Sequence, residues 1–324
     1  METQYEYEKY LCTKETLKET IEKYGAAIIP NVLDEDECEK MVSGMWDFLE
    51  HITSQWDVPL NRNDDKTWRQ FYKLFPLHSM LLQHFSVGHA QASWDLRQNP
   101  KIVEIFAYFW KCTQEELLVS FDGFSFGLPP EKTNKGWNRN NVWYHTDQSY
   151  TTSDFKCIQS WVTGLDVNTY DATLSIMEGS NKYHGEFKER FGVTDKANWY
   201  KLKREEEEFY IEKGCEYKNI KCPKGCIVFW DSRTIHCGVE ATKKREKENL
   251  RAVIYLCYMP RKLCCEKNLK KKQKAFEELR TTTHYPCDIK LFAKSPRTYG
   301  AEIEAIKSVD KPVLTELGRK LAGF

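Results

Sequence analysis

Val142-Trp143-Tyr144-His145-Thr146-Asp147 is the stretch on which the reading of this chain turns. A histidine and a carboxylate stand two residues apart at the end of a run that reads as a strand. Residues i and i+2 of a strand point to the same face, so His145 and Asp147 can reach one ion while Thr146 turns away. A second strand-like run, Cys226-Ile227-Val228-Phe229-Trp230-Asp231, leads into Ser232-Arg233-Thr234-Ile235-His236. If the fold brings that run alongside, His236 supplies a third ligand. One hard carboxylate and two borderline imidazoles suit Fe(II), with Mn(II) or Co(II) as substitutes. The three residues by themselves support no more than a metal site.

Arg251 narrows the chemistry. It lies in the apolar strand Leu250-Arg251-Ala252-Val253-Ile254-Tyr255-Leu256. An arginine inside such a strand costs free energy unless it meets an anion, and its fork suits a carboxylate held at two points. A dicarboxylate that chelates the metal at one end would place its other end there. The competing reading is a structural ion pair with a buried Asp or Glu.

Composition sets the bounds. With 324 residues the chain can bury a large core. Lys+Arg and Asp+Glu are both 48, so the whole-molecule field does not favour nucleic acid or anionic membrane. No apolar run approaches a membrane span. The polar, acidic start Met1-Glu2-Thr3-Gln4-Tyr5-Glu6 reads as neither signal nor transit peptide. The twelve cysteines are scattered, several within apolar runs, which favours reduced thiols in a cytoplasmic protein over a disulfide framework. Cys222, Cys226 and the pair Cys264-Cys265 lack a second pair at zinc-site spacing.

Along the chain, Thr13 is expected to cap a first helix that Gly25 stops, Ala26 to Pro30 to form a strand, and Asp34 to cap a helix from Glu35 to about Glu50. Residues 56–117 read as mostly helical, with Arg69 stacked on surface aromatics. Leu118 to Phe126 reads as one strand and Pro129 to Asn141 as a polar loop and lid candidate. Further strands are expected at Cys157–Leu165 and Ala172–Met177. Residues 184–214 read as a helical, charged insertion with Glu205 to Glu208 on a solvated face, and Lys243 to Glu248 as a charged hairpin loop. Lys270 to Lys274 reads as a solvated basic helix face, Cys237 as a small filler and His284 as structural. A final helix is expected near Leu314 to Leu321. The change of period at about residue 118, with early and late strands meeting at one mouth, suits a mainly β core with α additions: a double-stranded β-helix (jelly-roll, cupin-like) flanked by N-terminal and C-terminal helices.

Four stretches together resemble the phytanoyl-CoA dioxygenase-like family of Fe(II)/2-oxoglutarate-dependent oxygenases. They are His145-Thr146-Asp147; Trp161 in its apolar strand; the turn Ile176-Met177-Glu178-Gly179-Ser180-Asn181-Lys182-Tyr183-His184-Gly185; and Trp230-Asp231-Ser232-Arg233-Thr234-Ile235-His236-Cys237-Gly238 with Arg251 after it. Gly25 to Leu33 is similar to the family's first strand and helix start. The resemblance spans about residues 10–260. It implies His145, Asp147 and His236 as iron ligands, Arg251 on the far carboxylate of 2-oxoglutarate, and Trp161 in the co-substrate pocket. It also implies O2 as oxidant and ascorbate as a stimulating reductant. The chain departs from the family at Thr146, where Gln is common, at Gly238, where a hydroxyl often assists the arginine, and at Asn181, where the family turn has His. Related halogenating oxygenases replace the carboxylate by a small residue, so Asp147 points to hydroxylation or desaturation.

The expectation is therefore an oxygenase domain over residues 1–262, in which residues 1–117 are helical and residues 118–262 form the β-helix core. A helical extension, residues 263–324, is expected to pack on that core. The substrate would be a small molecule that the sequence does not name. Its pocket is expected from residues 56–117, the lid candidate and the charged insertion. The oligomeric state is not legible. A non-catalytic β-roll binding or scaffold protein that kept the ligands, and a zinc hydrolase with the same three, are the alternatives.

Overall fold

The computed structural model describes residues 3–324, so Met1 and Glu2 of the acidic start lie outside it. Fourteen strands are found among the described residues. They are β1 (Gln4–Glu6), β2 (Ala26–Ile29), β3 (Leu81–Leu82), β4 (Leu117–Val119), β5 (Phe124–Gly127), β6 (His145–Thr146), β7 (Ile158–Thr163), β8 (Thr173–Glu178), β9 (Tyr200–Lys201), β10 (Glu216–Ile220), β11 (Ile227–Asp231), β12 (His236–Val239), β13 (Arg251–Leu256) and β14 (Tyr258–Pro260). One six-stranded sheet runs β1-β10-β8-β12-β6-β9, the other β2-β11-β7-β13-β5-β3, and β14 pairs with β4 apart from both. All pairings are antiparallel except β1 with β10. Two facing antiparallel sheets with non-sequential neighbours make the expected jelly-roll.

The two-residue period of the central strands explains how the roll is filled. Ile227 and Phe229 of β11, Ile158 and Val162 of β7, and Ala252 and Ile254 of β13 join the core shared with the helices. The alternate residues Val228, Trp230, Trp161 and Val253 join a second core with Leu174 and Ile176 of the facing sheet. Both faces of the second sheet are thus covered, which is why its strands read as continuous apolar runs. Arg251, in register with Val253 and Tyr255, faces the inside of the roll.

Helices α1 (Leu17–Tyr24), α2 (Glu35–Ile52), α3 (Gln91–Arg97) and α4 (Pro100–Trp110) alternate with β1, β2 and β3 in the first third of the chain. A reciprocal cap starts α2: Asp34 Oδ1 accepts from Glu37 N at 3.0 Å and Glu37 Oε2 from Asp34 N at 2.9 Å. Such a cap stabilises a helix by about 1 kcal/mol. Its apolar face, Met41, Met45, Phe48 and Leu49, covers the sheet. Gly25 ends α1 at φ 79°, and a Cβ there would stand 2.6 Å from Thr234 Oγ1. Thr234 donates to the oxygen of Gly25 at 2.8 Å, so this glycine joins α1 to the loop before His236.

Several expectations need correction. Thr13 does not cap α1, whose N-terminal flank is Thr16; the Thr13 N–H instead donates to Thr16 Oγ1 at 3.0 Å. The run 118–126 is two strands in different sheets, because the chain bends through Asp122-Gly123. A Cβ on Gly123 would come within 1.9 Å of Leu82 O, and Leu82 belongs to β3, a strand the helical reading of 56–117 missed. Only His145 and Thr146 of the opening run pair as strand. The loop after Pro129 begins with a short helix α5 (Pro130–Thr133) and is fastened: Trp137 bridges to Ala241 and Asn138 N donates to Ala241 O at 2.8 Å. The hairpin 243–248 is not wholly solvated, since Arg245 is buried and ion-paired to Glu131 and to Asp171 at 3.2 Å. The insertion holds α6 (His184–Phe191), α7 (Arg204–Glu212) and β9. Within Glu205–Glu208, Glu206 is buried and accepts from Tyr200 Oη at 2.7 Å. α8 (Glu266–Glu277) carries the basic run, but Lys272 is buried and donates to Val119 O. α9 (Glu316–Ala322) brings Leu321 and Ala322 into the helix-covered core.

Candidate metal centre and its cavity

His145 on β6 and His236 at the start of β12 are directly opposed partners in the ladder. Asp147 follows β6, its N–H held by Ser232 O at 3.0 Å. Thr146 turns away and donates to the same oxygen at 2.9 Å. One ligand atom from each of His145, Asp147 and His236 falls within 4.8 Å of the others, and no other such group of His, Cys, Asp or Glu is found among the described residues. The structure therefore brings together the three residues the spacing singled out.

The hydrogen bonds behind the histidines fix what they present. Nδ1 of His145 bonds Trp143 O at 3.1 Å, and Nδ1 of His236 bonds Thr234 O at 2.9 Å. A carbonyl can only accept, so the proton sits on Nδ1 and both Nε2 lone pairs are free. Those nitrogens face the carboxylate: His145 Nε2 to Asp147 Oδ1 is 3.5 Å, and His236 Nε2 to Asp147 Oδ2 is 3.3 Å. Gln159 Nε2 donates to Asp147 Oδ2 at 3.0 Å. Burial, then the neighbouring His236, pushes His145 down to about 3. Burial alone would raise Asp147, but the imidazoles around it, His145 foremost, hold its carboxyl well below the ordinary range. Neutral nitrogens with an ionised carboxylate are the state a divalent cation requires.

Arg251 points into the same cavity. Its Nε donates to Ser125 Oγ at 2.9 Å and its Nη1 to Ala172 O at 2.9 Å, and its guanidinium lies 5.7 Å from the Trp161 ring. No Asp or Glu pairs with it among the described residues, so the structural ion pair weighed from sequence is not what holds it. The hydroxyl expected two residues after the distal histidine is absent at Gly238; Ser125 on β5 supplies it instead. A Cβ at Gly238 would stand 3.1 Å from Met80 Cε, so the position is filled from the other side.

The cavity around these groups has a volume of about 470 Å³. Trp161 and Trp230 line it, and their indole N–H groups are buried without a hydrogen-bond partner. Unpaired buried donors of this kind cost free energy until an acceptor arrives. Two of the three expected suppliers of pocket residues do contribute: Leu81 and Gln83 from 56–117, and Asn198 and Trp199 from the insertion. The lid candidate 129–141 does not line it, and neither does the exposed Arg69.

One whole wall escaped the sequence reading. Thr283, His284, Tyr285, Lys290 and Phe292 come from the segment after α8. His284, expected to be structural, lines the cavity with its Nε2 buried and unpartnered. Burial pushes it down to about 4 against the pull of Asp147. Asp122, in the bend between β4 and β5, was also missed. It lines the cavity, accepts from Gly123 N at 2.7 Å, and burial pushes its carboxyl up to about 7.

The chain is 25% identical over 277 residues to Ava biosynthesis cluster protein O of Aspergillus versicolor, covering 83% of this chain and 85% of that protein. Its fold is similar to that of a hypothetical protein of Escherichia coli, with a TM-score of 0.59 at 15% identity over 97% of this chain and 84% of that one. It is also similar to GlcNAc Inducible Gene 2 of Candida albicans, with a TM-score of 0.53 at 12% identity over 82% and 67% of the two chains. At these identities the solved structures speak to the fold alone. No described helix is long and apolar enough to cross a membrane. The sequence profile of phytanoyl-CoA dioxygenase (PhyH) matches residues 21–245, and with that match the jelly-roll and its His-Asp-His cluster have their family: the chain belongs to the phytanoyl-CoA dioxygenase family.

Proposed function

We propose that this protein is an Fe(II)- and 2-oxoglutarate-dependent oxygenase that hydroxylates a small molecule. One observation carries the reading. Two free imidazole nitrogens and a carboxylate converge in a cavity whose only buried guanidinium has no carboxylate partner among the described residues.

The donor set fits the groups proposed. His145 Nε2, Asp147 and His236 Nε2 would hold the metal, and three ligands on one side leave the rest of its sphere to co-substrate and oxygen. Arg251, set in direction by Ser125 and Ala172 O, would pair with the far carboxylate of 2-oxoglutarate. Bound together, iron and 2-oxoglutarate supply the oxidising chemistry, with loss of CO2 and formation of succinate. The protein holds the imidazoles in the correct tautomer, orients the Asp147 carboxylate through Gln159, and lines the reaction space with aromatic rings that exclude water. On a bound metal the carboxylate of Asp147 would take the position that a halide needs, which supports hydroxylation. A reducing cytoplasmic setting belongs to the same reading, supported by cysteines that serve as core fillers, such as Cys226 and Cys237.

The experiment is succinate formation by the full chain with Fe(II), 2-oxoglutarate, O2 and ascorbate, compared with His145→Ala. Succinate that depends on His145 is expected; its absence in the presence of bound 2-oxoglutarate would favour the non-catalytic binding protein.

A further inference from the structure

The charged groups lining the cavity are Asp122, Asp147, Arg251 and Lys290. On the oxygenase reading, on which this inference rests, Asp147 goes to the metal and Arg251 to the co-substrate. Lys290 is exposed at the rim. Asp122 remains. Its carboxylate accepts one hydrogen bond, from the neighbouring Gly123 N–H at 2.7 Å, and enters no ion pair among the described residues. The nearby buried guanidinium of Arg97 gives its two Nη groups to main-chain oxygens, Asp122 O at 2.7 Å and Gly88 O, and its Nε has no partner. The bend that carries Asp122 is fixed in place. A Cβ on Gly123 would collide with Leu82 O at 1.9 Å and one on Gly88 with Phe121 O at 2.1 Å, so the backbone of the bend is closely packed on both sides. The charge of Arg97 acts on this carboxyl without a hydrogen bond to it, and a carboxyl facing a largely aromatic cavity with a single hydrogen bond is costly. A donor on the ligand would supply a second.

The walls state the shape of that ligand. Trp143 is sandwiched between His78 at 4.0 Å and the ring of His145 at 4.7 Å, with interplanar angles of 3° and 7°, which locks His145 in place and leaves the open ring face to Trp199. Trp199 stands 5.7 Å from the same His145 ring, 51% exposed at the mouth. Phe292 and Tyr285, from the segment after α8, line the same cavity. Flat aromatic walls take rings and cationic nitrogen alike. The volume of about 470 Å³ lies in the range of small-molecule sites. What the lining lacks is a cluster of arginines and lysines. A nucleotide pyrophosphate calls for one, and Lys290 is the single cation left.

We propose that the substrate is a compact ring-bearing amine, its ring against Trp199 and its nitrogen donating to Asp122, rather than a coenzyme A thioester. Hydroxylation of such a molecule inserts one oxygen atom of O2 into a C–H bond. The second oxygen atom goes to succinate as 2-oxoglutarate loses CO2, so the balance needs no further reductant.

The test is calorimetric titration without O2, using the full chain loaded with Mn(II) and 2-oxoglutarate. The probes are tryptamine, 3-ethylindole (the same ring without the amine) and palmitoyl-coenzyme A. Tryptamine is expected to bind at least about tenfold more tightly than 3-ethylindole. Asp122→Asn should remove that preference, and Trp199→Ala, a surface change that leaves the bend intact, should weaken both indoles. Tighter binding of palmitoyl-coenzyme A than of tryptamine, equal binding of the two indoles, an unchanged preference in Asp122→Asn, or binding of no probe overturns the proposal. The 2-oxoglutarate titration that precedes the probes keeps the two readings apart: failure there sinks the oxygenase reading and this inference with it, whereas success there followed by probe failure sinks this inference alone.

Discussion

The hydroxyl of Tyr285 donates to the main-chain oxygen of Asp147 at 3.0 Å. A residue from the segment after α8 thereby holds the backbone of a proposed metal ligand, and it does so from beyond residue 245, where the family match ends. Tyr285→Phe keeps the ring against the cavity and deletes this bond together with the hydroxyl's contact to Ser232. Iron affinity is expected to fall by up to about tenfold, at the low end for outer-shell partners because the bond is to backbone. Competition with a chelator, read at constant folded fraction by circular dichroism, measures it.

Gln159 acts on the same residue from β7, through its bond of 3.0 Å to Asp147 Oδ2. Gln159→Leu leaves the carboxylate free to turn between its two histidine neighbours. A loss of about 10- to 100-fold in iron affinity is expected, larger than for Tyr285→Phe. An equal or smaller effect would show that Asp147 is held mainly by its backbone.

Arg251→Lys replaces a fork by a point charge, and Ser125→Ala removes the hydroxyl that directs the fork. A charge-assisted bond contributes about 1.5–3 kcal/mol, so the first change should raise the dissociation constant of 2-oxoglutarate by about 10- to 100-fold. Ser125→Ala should give a smaller rise of the same kind. Iron affinity without co-substrate should stay put in both. Equilibrium dialysis with labelled 2-oxoglutarate separates the two effects.

Stability should rise with pH on both sides of neutrality. His89 is buried against Arg280 O at 3.1 Å, and burial pushes it down to about 3. Between that value and its ordinary 6.5 the unfolded chain binds the proton and the folded chain does not. Its contribution is therefore complete above about pH 6.5 and is lost as pH falls. Lys272, pushed down to about 7 by burial, behaves alike between 7 and 10.5. Each group adds a slope on the order of 1 kcal/mol per pH unit within its window. Urea midpoints of the metal-free chain should therefore increase from pH 5 to 7 to 9, and the step above pH 7 should shrink in Lys272→Met.

The roll and its three-residue cluster were legible because both rest on short-range rules. Alternation marks β7, β11 and β13, and the i, i+2 relation aims His145 and Asp147 together even though β6 is only two residues long. Arg251 stood out because a charge inside an apolar run has to face an anion or a cavity. What stayed hidden depends on contacts between distant segments. Nothing local in Thr283-His284-Tyr285 says that it crosses the mouth of the roll. Leu118 to Phe126 reads as one strand because the close approach of Gly123 to Leu82 O, which breaks it, is a tertiary fact. The basic run around Lys272 reads as a solvated face because its burial follows from where α8 docks. Asp122 was missed for the same reason as that bend, and Ser125 could replace a hydroxyl at position 238 only because β5 lies beside β13.

The central claim is that His145, Asp147 and His236 hold an iron that, with 2-oxoglutarate, does chemistry. The most direct measurement is iron content together with 2-oxoglutarate-dependent succinate release, taken in parallel for the full chain and for His236→Ala. One iron per chain and succinate formation in the first, with both lost in the second, is the predicted result. Iron retained in His236→Ala, or stoichiometric iron and bound 2-oxoglutarate with no succinate from the unaltered chain, would contradict it.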